Sequence, residues 1–517
     1  MKRIAMLALG LAMVLAGASV AAQGVLVYGT TDKVTDMDPA SAYDFHTWEI
    51  FQNIDKGLLT YTPGTTDIVP GLATAMPTVN AAGTEYTFKL RPNLKFTDGT
   101  PFDAASVKWS VDRVIKLNGD PSWLVTQFVK EVQVIDPLTV RFVLKAPTGF
   151  FPALVAGDPV YFPISPNVYP VDKIVHDPSE LVGGALVGLG PYKVTSFKRD
   201  EEVVLEANPD YYGKAPAVKK VIIKYFADAT TMRLAIEKGD IDVAFKTLNP
   251  SDITDLAKAG KLNYQKLPGA QIRFLNFNCD VSVFKDKILR QAIAALIDRP
   301  EINQKVFLGQ QAPLYSMIPM GMSYHTDNFK TVYGEKGNVA KADALLKKAG
   351  YSKAKPFAFD LWYTTSHYGD TEVNVAEVLK SELERSPLIK ITLKSAEWAT
   401  YKQQFNNKQM AAFLLGWYPD YLDPDDYTAA FAQTDASAGE GIFFSNKEWD
   451  ALFNKEQTAT SEKTRAPVFA EVQKLWTDEV PCIPLFQGNL NVFTKKNIAG
   501  VKIGPTLIFN YDNVSFK

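Results

Sequence analysis

The chain has 517 residues, 46% hydrophobic and 22% charged, a globular composition rather than a disordered or fibrous one. At roughly 100–200 residues per domain, that length predicts about three domains. With 55 Lys and Arg against 57 Asp and Glu, no basic excess speaks for nucleic acid or an anionic membrane surface. The two cysteines and four histidines exclude a cysteine-rich zinc module or a disulfide scaffold.

The N-terminus reads Met1-Lys2-Arg3, an apolar run from Ile4 to Leu15, then small residues to Ala22. A charged start, a short apolar core and an alanine-rich end predict a secretory signal peptide over 1–22, cleaved after Ala22. The run is shorter than the ~20 apolar residues of a comfortable membrane span, so an uncleaved anchor helix is the lesser alternative. No cysteine follows the run to take a lipid anchor. The mature chain is expected to be soluble outside the cytoplasmic membrane, without membrane insertion.

In chain order, Glu85 to Arg91 alternates with period two and reads as a strand. A helix follows over Ala104 to Lys116, with Asp103 as N-cap and Val107, Val111, Val114 and Ile115 as its apolar stripe. Val140 to Leu144 is again strand-like. Val218 to Phe226 (strand), Asp228 to Lys238 (helix) and Ile241 to Phe245 (strand) form a compact β-α-β unit, with Gly239-Asp240 as its stop signal. The pattern returns as strand Phe357 to Thr364, helix Thr371 to Arg385 and strand Ile389 to Lys394. A helix near Glu397 to Phe405 and a strand at Ala411 to Trp417 follow. Such alternation predicts an α/β fold with mainly parallel sheet covered by helices. The whole reads as two α/β lobes plus an α+β insertion.

Enzyme constellations are missing. There is no Gly-x-Ser-x-Gly elbow, no His-Glu-x-x-His helix and no P-loop. Gly188-Leu-Gly190 lacks the third glycine of a dinucleotide loop. Asp420, Asp423, Asp425 and Asp426 lack the central glycine and final glutamate of a calcium loop. No cofactor or metal site is identified. A secreted hydrolase with two cleft carboxylates is the rival class.

Several ordered blocks resemble the extracellular solute-binding proteins of peptide-type ABC importers, the dipeptide/oligopeptide-binding family (family 5). They are Asp38-Pro39 with Asn53 to Leu59, Tyr86 to Arg91, Lys95 to Gly99 and Asp103 to Ser110. Gly188 to Tyr192, Tyr211 to Gly213, Asn276 to Asn278, Arg290 to Ile293 and Ile297 to Arg299 follow. Glu397-Trp398, Gly416 to Pro424 and Pro481 to Phe486 complete the series, which covers nearly all the mature chain. The resemblance implies a periplasmic-binding-protein-like fold in which two lobes bury a ligand between them. Lobe one would be about 24–276 plus 484–517, with an inserted domain near 69–180, and lobe two about 277–483. The crossings would lie near Asn276 and Pro484. The implied function is capture of short peptides in the periplasm, by a monomer, for delivery to an ABC permease; no catalysis is implied. Oligosaccharide or metal-chelate binding stands as the alternative within the family.

By the same resemblance, Asp420 of the Gly-Trp-x-x-Asp block pairs with the ligand's α-ammonium, against the alternative of a solvated loop aspartate or helix cap. Gly416 and Tyr418 would offer backbone groups to the peptide as an added strand. Trp398 would line a side-chain pocket, and Trp417 is either site or core. Pro39 to Phe45 would form a rim from lobe one, with Asp38 a turn or cap residue. The arginines that hold a ligand carboxylate in some members correspond here to Leu414 and Phe405, and His367 is offset from a family histidine. How a ligand C-terminus would be held is therefore open. Cys279 and Cys482 flank the implied crossings, which leaves two readings open: a disulfide between them, or two buried free thiols that act as small apolar residues.

Overall fold

The computed structural model describes residues 24–281, 283–365, 367–368, 371–459 and 461–517. The expected signal peptide, 1–22, lies outside the described residues.

Helix Ala104–Leu117 shows how local sequence sets an element. The Asp103 carboxylate accepts the Ser106 amide at 2.9 Å, and the Ser106 hydroxyl accepts the Asp103 amide at 3.2 Å, a reciprocal N-terminal cap. The helix stops at Asn118, whose φ of 50° is left-handed. Val107, Val111 and Val114 are buried, whereas Ile115, expected in the stripe, is 36% exposed because it follows Val114 directly and turns off that face. The helix packs on a four-stranded antiparallel sheet ordered Thr78–Val79, Glu85–Lys89, Thr139–Leu144, Val129–Asp136.

An 11-stranded sheet runs through the rest of the molecule. At one end Val25–Thr30 lies parallel to Lys220–Tyr225 and to Val243–Phe245, flanked by the antiparallel Glu202–Ala207 and Tyr192–Lys198. At the other end Phe357–Thr364 lies parallel to Ile389–Ala396 and to Ala412–Trp417. Two long antiparallel strands, Asn263–Phe277 and Cys482–Thr494, join the ends. The sheet is therefore mixed rather than mainly parallel, because the strands that link the two parallel sets run against them.

The two strands divide between hydrophobic clusters. Leu490 and Val492 belong to the cluster around Leu26 and Phe245, with Leu267 packed against it. Ala270 to Phe277 and Cys482 to Phe486 belong to the cluster around Leu361 and Phe413. The chain thus changes lobe at Gly269–Gln271 and Gln487–Asn489. Asn276 and Pro484, where the crossings were expected, sit inside the second lobe's sheet, Asn276 paired with Phe413 and Pro484 with Phe274. The ladder slips between Pro268 and Ile272. There Gly269 and Gly488 lie so close to the Gln271 side chain that a Cβ on either would come within 2.1 Å and 2.3 Å of it.

The C-terminal segment returns to the first lobe. The Tyr511 hydroxyl donates to Glu49 at 2.8 Å, and the Asn53 amide donates to the Phe509 carbonyl at 2.9 Å. The Phe509 and Tyr511 rings pack edge-on against Tyr28.

Both cysteines are free, the second of the two readings open from sequence, and no disulfide joins them. Cys482 turns its Sγ to Met317 Sδ at 3.5 Å, and Cys279 Sγ lies 3.6 Å from the Phe277 carbonyl. Burial pushes the Cys279 thiol up to about 11 and the Cys482 thiol up as well, so neither is a thiolate at neutral pH. Thiol titration is expected to find two reactive thiols per chain in denaturant and almost none in the native protein; no thiol in unreduced, denatured protein would contradict this.

Candidate functional site

A cavity of about 770 Å³ opens between the lobes. Its walls follow from strand direction. In the first lobe Thr31 and Asp32, Ala227 and Asp228, and Lys246 and Thr247 each follow the carboxyl end of a parallel strand. In the second lobe Tyr368 and Tyr418 follow Phe357–Thr364 and Ala412–Trp417. Carboxyl ends of parallel strands are where open α/β sheets bind ligands, because the connecting loops part there. Gln271, Arg273 and Asn489 from the two crossing strands form the floor.

Charge of both signs faces this space. Lys246 Nζ is buried 3.7 Å from Glu49 Oε2 and 4.0 Å from Asp32 Oδ2, with no hydrogen bond among the described residues. Burial raises the carboxyls of Asp32 and Glu49 above the usual range, and Lys246 opposes it. Across the cavity the Arg273 guanidinium stacks 3.7 Å from the Tyr368 ring centre, with Nε 3.4 Å from Glu372 Oε1. Burial works against the Arg273 charge, but Glu372, Tyr418 and Tyr368 hold its pKa above the usual value. Burial raises Glu372 despite Arg273, and its Oε2 has no partner among the described residues. Gln271 Oε1 is likewise buried without one.

The residues expected from sequence fall into different places. Tyr418 lines the cavity, 45% exposed, its ring 5.6 Å from Phe45 of the first lobe. Gly416 pairs with Arg273 in the ladder, and its carbonyl accepts the Tyr368 hydroxyl at 3.2 Å. Its bare Cα makes room for arginine, since a Cβ would stand 1.9 Å from Arg273 Nη1. Trp417 points into the second lobe, where Nε1 donates to Asp426 at 2.9 Å and the ring packs edge-on against Phe431. Trp398 is outside the cavity lining; it stacks on His367 at 3.7 Å and meets Tyr368 edge-on at 5.8 Å. Burial, then Arg273 and Lys402, lower His367 to about 4, so that stack is neutral at pH 7.

Asp420 lines a neighbouring cavity of about 20 Å³, which shares Phe45 with the larger one. The Tyr43 hydroxyl, from the expected rim, donates to Asp420 Oδ1 at 2.5 Å, and Trp123 Nε1 donates to Tyr43 at 3.2 Å. The Asp420 amide donates to Asp426 at 3.2 Å. Burial pushes the Asp420 carboxyl up to about 7, against the Tyr43 bond. Asp158 also lines this space, with a buried Oδ2 that has no partner among the described residues.

Arg273, Lys246, Glu372 and Tyr368 are not among the residues that the sequence singles out, whereas Tyr43 falls within the expected rim. An arginine within an apolar strand, Gln271-Ile-Arg-Phe-Leu, was the one legible signal. The others are placed only by the loops that follow the strands.

Replacing Gly416 with alanine is expected to displace the guanidinium, because the new Cβ would stand 1.9 Å from Nη1 while Tyr368 already stacks on the group. Overpacking of this kind costs about 1–3 kcal/mol. Solute affinity should fall more than the melting temperature, as calorimetry and thermal unfolding would show; unchanged affinity would contradict the arrangement.

Among the described residues, no helix is long and apolar enough to cross a membrane, and no group of three or more His, Cys, Asp or Glu is placed to hold a metal ion. Two lobes, joined by paired strands and closing on a polar cavity, define a two-lobed solute-binding protein. The family model for bacterial extracellular solute-binding proteins, family 5 (middle region), matches residues 67–439. The chain belongs to that family, whose members bind solutes rather than transform them. It is 27% identical over 504 residues to the probable D,D-dipeptide-binding periplasmic protein DdpA of Escherichia coli K12, covering 95% of this chain and 94% of that one. It is 24% identical to the dipeptide-binding protein of the same organism, covering 100% and 99%. Among solved structures, the ABC transporter substrate-binding protein CtaP of Listeria monocytogenes superposes with a TM-score of 0.82 at 24% identity, covering 96% and 99%.

Proposed function

We propose that this protein captures short peptides outside the cytoplasmic membrane and hands them to an ABC permease, acting as a monomer after cleavage near Ala22. The observation that carries the reading is the set of buried polar atoms left without partners on one cavity: Lys246 Nζ, Gln271 Oε1 and Glu372 Oε2. Unpaired buried groups cost about 1–3 kcal/mol each, more when charged, so a ligand that brings both donors and acceptors is favoured. A peptide carries an ammonium, a carboxylate and amides together. A neutral oligosaccharide carries no charge to meet Lys246 and Arg273. The similarity to dipeptide-binding relatives supports the same choice.

Closure follows from the same contacts. A solute that touches both lobes stabilises the closed state by its differential affinity. Moving a hinge from mostly open to mostly closed needs roughly 5 kcal/mol. Native mass spectrometry of the purified protein tests the reading. Co-purified short peptides of mixed sequence are expected, on a chain whose mass begins at Gln23; sugars or a metal complex would overturn it.

A further inference from the structure

We propose that Arg273 is the station for the ligand's terminal carboxylate, and that the solutes selected are peptides with a free C-terminal residue. The inference rests on the peptide reading above and supplies the half of the ligand site that sequence left open.

The guanidinium lies in the floor of the cavity, its side chain 13% exposed. Tyr368 stacks on the guanidinium, and Gly416 packs so close to it that a Cβ would stand 1.9 Å from Nη1, which together restrict the plane of the fork. Its hydrogen bonds to described residues are long, 3.3 Å to the Ile272 carbonyl and 3.4 Å to Glu372, and among those residues Nη2 has none. A planar fork held in place and incompletely bonded matches a carboxylate, which accepts two parallel N–H bonds. Glu372 narrows the choice. One carboxylate already beside the arginine repels a dianion such as phosphate more than a monoanion. The unpartnered Glu372 Oε2 and Gln271 Oε1 add acceptors on the same wall. The last residue of a peptide offers a carboxylate for the arginine and an amide N–H for one of these acceptors. A peptide amino terminus offers donors alone.

The test uses the full protein, stripped of co-purified solute by partial unfolding and refolding. The probes are an equimolar mixture of dipeptides with free C-termini and the same mixture with C-terminal amides. Native mass spectrometry reads retention, and thermal unfolding of the solute-free protein confirms folding. Wild type is expected to retain the free acids well above the amides. Arg273→Gln should lose about 100-fold in free-acid affinity, the scale of a charge-assisted pair, with little change for the amides. Arg273→Lys, which keeps the charge but not the fork, should fall between and carries the test if the glutamine variant does not fold. Equal retention of acids and amides by wild type overturns the proposal and leaves the peptide reading standing. Discrimination that survives in both variants also overturns it, since the carboxylate is then read elsewhere. Retention of neither mixture overturns the peptide reading and this inference with it.

Discussion

Asp420→Asn is expected to lower affinity for peptides with a free amino terminus by two orders of magnitude or more, and to leave N-acetylated peptides nearly unaffected. Removing one partner of a buried charge pair costs about 3–5 kcal/mol. The proposed ammonium site rests on two observations: Oδ1 accepts from Tyr43 of the opposite lobe, and the adjoining space is about 20 Å³. Calorimetry on both peptide classes reads the effect, and equal wild-type affinity for free and acetylated peptides would sink the assignment. The pH dependence has a definite sign. The folded carboxyl is pushed up to about 7 from its ordinary value of 3.8, so the uncharged form is the one folding favours. Its contribution to stability is full below about pH 4 and is lost as pH rises through 7. The solute-free Asn variant should therefore gain melting temperature relative to wild type at pH 8, with the gap narrowing at pH 5 and closing below about pH 4. An ammonium ligand needs the charged form, so wild-type affinity should rise from pH 5 to 8. Binding at pH 6 should release a proton, visible as a calorimetric enthalpy that changes with buffer.

The largest loss of stability is expected from Asp38→Ala. Arg113 forks onto Asp38 at 2.7 Å and 2.6 Å, both side chains almost fully buried. The same carboxylate accepts the amides of Ala40 and Val175, each at 2.9 Å. Arg113 also donates to the carbonyls of Pro170 and Lys173. The pair thus fastens helix Ala104–Leu117 to the N-terminal loop and to the segment over 170–175. Truncating the aspartate strands a buried guanidinium, at a cost of about 3–5 kcal/mol. Asp38→Leu combined with Arg113→Met should cost less than the two single changes together, because each removes the group the other leaves unpaired. Urea midpoints would measure this; additive losses would mean that the pair is not coupled.

Local pattern carried most of the elements. Alternation or helical spacing placed Glu85–Lys89, Ala104–Leu117, Phe357–Thr364, Ile389–Ala396 and Trp398–Asn406 to within a few residues. The crossing strands were harder. Cys482–Phe486 is apolar on both faces, as a strand central in a sheet must be, so it shows no period two. Asn263–Phe277 is interrupted by Pro268, Gly269 and a slipped register, which is the signature of a hinge rather than of a regular strand. Asp38 read as a turn residue, and it does accept the Ala40 amide as such a residue would. Its second partner, Arg113, lies 75 positions away and left no local trace. The site divides the same way. Asp420 and Tyr418 belong to a contiguous block, whereas Arg273, Glu372 and Lys246 meet only after three separated stretches fold together.

The return of the C-terminal segment to the first lobe sets an order of assembly. Phe509, Tyr511 and strand residues 490–494 complete a sheet and an aromatic core begun by Tyr28, more than 450 positions earlier in the chain. A growing chain presents the whole second lobe before it presents these residues. That lobe is one continuous stretch whose two ends pair side by side, so it can close on itself first. The first lobe must wait, its apolar floor uncovered, until the last strand arrives. A nascent chain therefore holds one finished half and one unfinished half, and the solute cleft comes into being only with the final stretch of polypeptide.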